Sequence, residues 1–305
     1  MGKKPDVICV TGGKGGTGKT LVAINLAVMY KNANKKVLLL DGDVENPNTY
    51  LLMGGNLNNK KEVLFFKPKI IEDKCSSCGL CAQNCANHVF LYLEGRIPIP
   101  MLNLCSGCKL CYKICPEKAI VPDLSIVGWT YSTKVDGISL LVGELKPTEA
   151  RSATIIESLL IDLEEILKSN DYDVIILDTA PGAHCDVELL ISKADKVIPV
   201  TEPTKFGKVD LLRIIELIEL LNKDYQAIVN RSTLTGYKDE FLNELKENKI
   251  DILGDIPLDQ DIVLSYCQGT PLMGSNSKYK ESKAYKAFEN IFENLNKWIL
   301  TKNRS

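Results

Sequence analysis

Residues Gly13, Lys14, Gly15, Gly16, Thr17, Gly18, Lys19 and Thr20 satisfy the spacing G-x-x-x-x-G-K-[ST]. An apolar run, Val7 to Thr11, precedes them. Leu21, Ile24, Ala27 and Val28 follow at helical spacing, predicting a helix over Lys19 to Tyr30. A strand, a glycine-rich turn and a helix in that order constrain the fold more than any other stretch of the chain. The glycines permit a tight turn whose N–H groups converge on phosphate oxygens, and the helix N-terminus adds a favourable dipole. Lys19 is placed to reach the β- and γ-phosphates of a nucleotide, and the Thr20 hydroxyl to bind Mg²⁺. The overlapping G-x-G-x-x-G from Gly13 to Gly18 is a weaker dinucleotide signal, and the Lys-Thr that follows decides for the phosphate loop.

The strand–helix alternation continues. Val37 to Leu40 is a bare strand ending in Asp41. Further strands are expected at Val174–Leu177, Val197–Val200, Ala227–Val229 and Ile252–Ile256, with helices at Ile155–Leu167, Val209–Leu221 and Phe241–Glu247. Such alternation predicts an α/β fold with a mostly parallel sheet covered by helices on both faces. The net charge of −2 gives no argument for nucleic acid, and no apolar run reaches the ~18 residues of a membrane span. The short polar stretch Met1–Asp6 leaves no room for a signal peptide, so a cytoplasmic protein is expected. Disulfides then poorly explain 11 cysteines.

Eight of those cysteines lie between Cys75 and Cys115. Cys75-x2-Cys78-x2-Cys81-x3-Cys85 recurs 30 residues later as Cys105-x2-Cys108-x2-Cys111-x3-Cys115-Pro116. This is the bacterial two-cluster ferredoxin spacing, in which each fourth cysteine ligates the other cluster. One [4Fe-4S] cluster would take Cys75, Cys78, Cys81 and Cys115, the second Cys105, Cys108, Cys111 and Cys85. Two zinc sites are the competing reading, although structural zinc prefers two separated cysteine pairs. Ala86 stands where the pattern would have proline. Gly79 and Gly107 are read as relieving crowding near sulfide. Residues 63–125 are therefore expected to form an inserted ferredoxin-like α+β domain, between segments 1–62 and 126–305 of the α/β domain.

Lys14 is a second lysine inside the phosphate loop. Lys14 to Thr20 resembles the deviant Walker A motif of the MinD, ParA, Mrp and nitrogenase iron protein superfamily. The resemblance covers residues 1 to about 60 and about 130 to 300. It implies that Lys14 crosses to a partner's nucleotide, so that ATP clamps a homodimer or a heterodimer with a paralogue. Asp41-Gly42-Asp43 resembles the first switch, with Asp43 activating water and Asp41 supporting the Mg²⁺ network. Asp178-Thr179-Ala180-Pro181-Gly182 resembles the Walker B residue and second switch, with Asp178 holding Mg²⁺ through water and Gly182 meeting the γ-phosphate. Asn230, Arg231, Pro257 and Asp259 resemble the adenine-side positions. With the insert, the chain is similar to MinD-superfamily ATPases carrying a ferredoxin domain.

Two functions fit these expectations. ATP hydrolysis could gate electron transfer through the clusters to an acceptor protein, or the chain could be a Mrp-type carrier for an iron–sulfur or metal cofactor and its client. Neither nucleic acid nor membrane is an expected partner. Cys9 and Cys267 read as buried small residues, Cys185 as a switch residue without the second cysteine a shared cluster would need, and His88 and His184 as loop histidines. Phe288, Ile291, Phe292, Leu295, Trp298 and Ile299 form one stripe, read as packing on the sheet and not as a membrane anchor.

Overall fold

A computed structural model describes residues 4–234 and 236–301. Part of the polar leader (Met1–Lys3) and residues 302–305 lie outside that range. The chain forms two compact units, Met1–Lys61 with Trp129–Ser305, and Glu62–Gly128. In chain order the elements are β1 (Asp6–Thr11), α1 (Lys19–Asn32), β2 (Val37–Gly42), α2 (Thr49–Leu52), β3 (Lys61–Ile70), α3 (Leu80–Gln83), β4 (Phe90–Leu91), β5 (Ile99–Pro100), α4 (Leu110–Ile114) and β6 (Ile120–Val135). There follow β7 (Ile138–Leu145), α5 (Ser152–Ser169), β8 (Val174–Thr179), α6 (Cys185–Lys193), β9 (Lys196–Thr201), α7 (Lys205–Leu220), β10 (Asp224–Tyr225), β11 (Ala227–Val229), α8 (Lys238–Glu247), β12 (Ile252–Asp255), α9 (Gln260–Cys267) and α10 (Lys283–Thr301).

In the larger unit the strand order is β12-β11-β9-β1-β8-β2-β7, with β10 also on β9. The registered pairings along it are parallel. Strands β2, β8 and β9 are buried at every residue, and β1 at its last four. Continuous apolar runs are what strands covered on both faces require. Helices α1 and α10 join Ile8, Val10, Leu39 and Ile176 in one core. Helix α5 packs on β7, α6 on β1, β2 and β8, and α7 on β9. Register places Val10 level with Asp178, and Asp41 level with Asp178. The phosphate loop and the two acidic turns therefore leave the sheet side by side.

Several elements extend beyond their sequence signals. Helix α7 starts at Lys205, ahead of the expected Val209, because the Thr204 hydroxyl accepts from the Gly207 N–H at 2.9 Å as an N-cap. Helix α6 and the β6–β7 hairpin were not foreseen. The hairpin turns at Asp136-Gly137, with φ of 45° and 83°, the left-handed pair a two-residue turn demands.

Helix α10 packs inward, as its stripe implies. Ala284, Phe288, Ile291, Leu295 and Trp298 are buried, and Phe292 meets Tyr30 edge-on at 4.8 Å. The Trp298 indole N–H donates to Asp224, which also pairs with buried Lys196, whose ammonium lies 4.5 Å from the Trp298 ring centre. Among the described residues, no helix is long and apolar enough to cross a membrane. Replacing fully buried Phe288 by alanine should cost about 3–5 kcal/mol in urea unfolding; a loss under about 1 kcal/mol would contradict this packing.

Candidate functional site

Beyond β1, the loop approaches its neighbours too closely for side chains. A Cβ on Gly13 would stand 2.2 Å from the Asp210 carbonyl oxygen. Gly18 has φ +97°, and a Cβ there would stand 2.3 Å from Asn230 Nδ2. Asn230 Nδ2 donates to the Thr17 carbonyl at 2.7 Å, tying the loop to the end of β11. A cavity of about 350 Å³ opens above the loop. Its walls bring together Gly15, Gly16, Gly18, Lys19, Thr20, Asp43, Asn230, Arg231, Pro257 and Asp259 from the sequence-derived set. Gly13, Lys14, Thr17, Asp41, Asp178 and Gly182 do not line it.

Each of those six has another place. Asp41 is buried and accepts from the Asp43, Asn48 and Thr49 N–H groups at 3.1 Å and from the Thr49 hydroxyl at 2.8 Å. It shapes the turn that presents Asp43. Burial pushes its carboxyl up to about 6, against those hydrogen bonds. Asp178 is fully buried, and neither carboxylate oxygen has a hydrogen-bond partner of good geometry. Burial, then the Asp41 charge, drives its carboxyl well upward; the Thr20 hydroxyl and Lys19 ammonium oppose this. Asp43 is also raised by burial. Buried Lys19 is lowered by desolvation, against the attraction of Asp178 and Asp43. Its ammonium donates to the Lys14 carbonyl at 3.1 Å. Gly182 donates its N–H to the Gly12 carbonyl at 3.1 Å, and Lys14 lies near Glu202. Two carboxyl groups, Asp43 and Asp178, thus draw on the single Lys19 ammonium. The orphaned Asp178 oxygens beside the Thr20 hydroxyl form a donor set that suits a hard cation such as Mg²⁺.

The smaller unit gathers its thiols around two further cavities. Cys75, Cys78, Cys81 and Cys115 line one; Cys85, Cys105, Cys108 and Cys111 line the other, which Cys81 also borders. Backbone N–H groups of Val89, Gly107 and Ala119 donate to the sulfurs of Cys85, Cys105 and Cys115 at 3.3–3.4 Å. Burial, then the neighbouring Cys105, Cys108 and Cys81, pushes the Cys111 thiol up to about 11 against the Tyr112 N–H. The 30-residue repeat is also conformational: Ser77 and Gly107, Gly79 and Lys109, and His88 and Lys118 all have φ between 48° and 72°. Gly79 and Gly107 face aromatic rings, where a Cβ would stand 2.5 Å from Tyr92 and 2.7 Å from Phe65 respectively. Left-handed backbone and ring contact thus account for these glycines. Among the described residues, no three His, Cys, Asp or Glu side chains are arranged to hold a single metal ion; the thiols stand back around cavities.

One expectation changes: Cys267, read as buried, is exposed at the end of α9. Cys185, read as a switch residue, is exposed at the start of α6. Asp259 caps α9 through the Asp261 N–H and also accepts from Ala284, both at 3.0 Å. Sequence reading missed the cavity walls Asn48, Leu52, Leu258, Ile262, Val263 and Tyr266. The cap signal at Asp259 before Ile262 and Val263 could have located α9. Glu202, joining Lys14 and Arg231, carries no local signal.

A nucleotide-binding domain model described as CobQ/CobB/MinD/ParA matches residues 8–272. The chain is 34% identical to an uncharacterized protein of Methanocaldococcus jannaschii, MJ0579, over 96% of this chain and 97% of that one. It is 24% identical to a Pyrococcus horikoshii protein named iron-sulfur cluster carrier protein, covering 94% and 84% of the two chains. In fold it is similar to the septum site-determining protein MinD of Pyrococcus horikoshii, solved with Mg-ADP. That match has a TM-score of 0.60 and 19% identity, over 97% of this chain and 98% of that one.

Asp41 has a measurable pH signature. Burial holds its folded pKa at about 6, above the ordinary aspartate value of about 3.9, so the folded chain keeps a proton that the unfolded chain has lost. Its contribution to stability is greatest below about pH 4 and falls as pH rises toward 6, by up to about 3 kcal/mol. Urea unfolding of nucleotide-free protein should show this decline in the difference between wild type and D41N. A difference that stays flat or rises over that window would refute it.

Proposed function

The chain belongs to the CobQ/CobB/MinD/ParA nucleotide-binding family, and from that premise we propose that it is a Mg²⁺-dependent ATPase of the cytoplasm that carries iron–sulfur clusters to client proteins. The observation that carries the proposal is the combination, in one polypeptide, of a phosphate-loop cavity backed by an orphaned buried carboxylate and two cavities ringed by thiols.

ATP would lie along the cavity, its phosphates against the N–H groups of residues 13–20 and its base toward Asn230, Arg231 and Pro257. Lys19 would neutralise the β- and γ-phosphates. Thr20 and Asp178 would hold Mg²⁺, which supplies charge neutralisation for the departing phosphate. Asp43, raised in pKa and facing the cavity, would orient the attacking water. Lys14, outside the cavity of its own chain, would serve a partner's nucleotide in an ATP-clamped dimer.

The inserted unit would hold two [4Fe-4S] clusters, one on Cys75, Cys78, Cys81 and Cys115, the other on Cys85, Cys105, Cys108 and Cys111. The backbone donors to three of these sulfurs support this, because such bonds stabilise thiolate ligands and tune a cluster. Thiols ringing a cavity also favour a polynuclear group over zinc, whose ~2.3 Å bonds draw four sulfurs around one point. Raised thiol pKa values mean that loading releases protons. The clusters could alternatively deliver electrons to an acceptor under ATP control. The whole-length similarity to a protein named as an iron–sulfur cluster carrier favours transfer of the cluster itself.

Anaerobically purified protein should contain about eight iron and eight sulfide per chain. It should pass clusters intact to an apo-ferredoxin, at a rate that ATP changes several-fold. Zinc in place of iron, or reoxidation without cluster loss when an acceptor is added, would overturn the carrier reading. K19A should lose nucleotide binding in calorimetry. K14A should bind ATP normally yet lose at least tenfold in hydrolysis and fail to dimerise with ATP; wild-type turnover in K14A would remove its role in trans.

A further inference from the structure

Glu202 follows β9 directly and is only 6% exposed, rare for a glutamate. Its backbone is fixed on both sides. The Thr204 N–H donates to the Glu202 carbonyl at 2.7 Å, and a Cβ on Gly207 would stand 2.3 Å from that oxygen. The two side-chain oxygens are divided. One accepts from Arg231 Nη1 at 3.2 Å; the other lies 3.9 Å from Lys14 Nζ. Arg231 is thus hydrogen-bonded, whereas Lys14 is held by charge alone at ion-pair distance. Both cations are similarly exposed, so it is the missing hydrogen bond that makes the Lys14 hold the looser of the two.

We propose that Glu202 is a positioning residue that keeps Lys14 on its own chain while the cavity is empty, and that Arg231, by sharing the carboxylate, sets how firmly. This rests on Lys14 acting across a dimer. A lysine that must reach a partner's phosphates first leaves its own glutamate, so Glu202 opposes self-association until nucleotide supplies a stronger anion. The neighbouring Arg231 lines the nucleotide cavity, which puts this restraint beside the base-side wall.

The first test needs no nucleotide. Lys14 acylation by a water-soluble N-hydroxysuccinimide ester is followed by mass spectrometry in nucleotide-free protein, because an ion-paired ammonium reacts slowly. E202Q should be labelled about fivefold faster than wild type, as expected for loss of one partly exposed pair. R231Q should shift labelling the other way, since the carboxylate is left to Lys14 alone. A packing defect would not give opposite signs, and R231Q keeps the test available if E202Q does not fold. Equal labelling in all three proteins would overturn the hold. The second test is sedimentation with ATP, where the E202Q dimer should be about fivefold tighter. An unchanged or weaker E202Q dimer would overturn the restraint. A wild type that binds no ATP would instead sink the ATPase reading, and the labelling result would still decide whether Glu202 holds Lys14.

Discussion

Where β1, β2 and β8 end side by side, Asp43 and Asp178 share the Lys19 ammonium while Asp41 presses on Asp178, in a region largely withdrawn from water. Register makes that meeting unavoidable, because Asp41 and Asp178 are paired neighbours in a parallel ladder. Parallel strands release their carboxyl ends to the same edge, so every loop leaving them competes for the same small volume. Asp41 resolves its share internally, by accepting four hydrogen bonds from its own turn. Asp178 does not, and its unsatisfied oxygens leave the site short of positive charge. The rest of the larger unit can be seen as scaffolding for that imbalance. Asn230 reaches across to brace the loop, and Gly42 leaves room where a Cβ would stand 2.4 Å from Leu190.

The sequence was most readable where chemistry depends on short-range spacing. The loop from Gly13 to Thr20, the Asp-Gly-Asp turn and the two cysteine runs are each visible within a dozen residues, and each group is brought near the others of its kind. The mostly parallel sheet was readable because strands such as Val37–Leu40 are apolar on both faces. Readings failed where a residue's setting is fixed by distant partners. Glu202 gains meaning only when the loop carrying Lys14 and the end of β11 fold against it. Asn230 also braces the loop through its amide bond to the Thr17 carbonyl, a role its sequence neighbours do not signal. Cys267 sits among apolar neighbours in sequence but on the outward side of a short helix.

The smaller unit makes a related point about glycine. Gly79 and Gly107 do not occupy equivalent positions of the repeat; their counterparts are Lys109 and Ser77, which adopt the same left-handed backbone at some cost. The repeat therefore survives in dihedral angles after it has been lost in residue type. Each glycine is retained on the side where an aromatic ring, Tyr92 or Phe65, leaves no space for a methyl group.

The order of strands also bears on synthesis. Strand β1 is made well before its partners β8 and β9, the nearer beginning 168 residues later by the pairing of Asp6 with Val174. At ribosomal speeds of about 5–20 residues per second, β1 waits on the order of ten to thirty seconds for an edge to join. For that interval the nascent chain carries an apolar strand and its glycine loop without a ladder, a natural handhold for a chaperone. About half of the delay is spent making Glu62–Gly128 and α5. The 67-residue unit can close on its own local contacts while the larger sheet is still short of its middle.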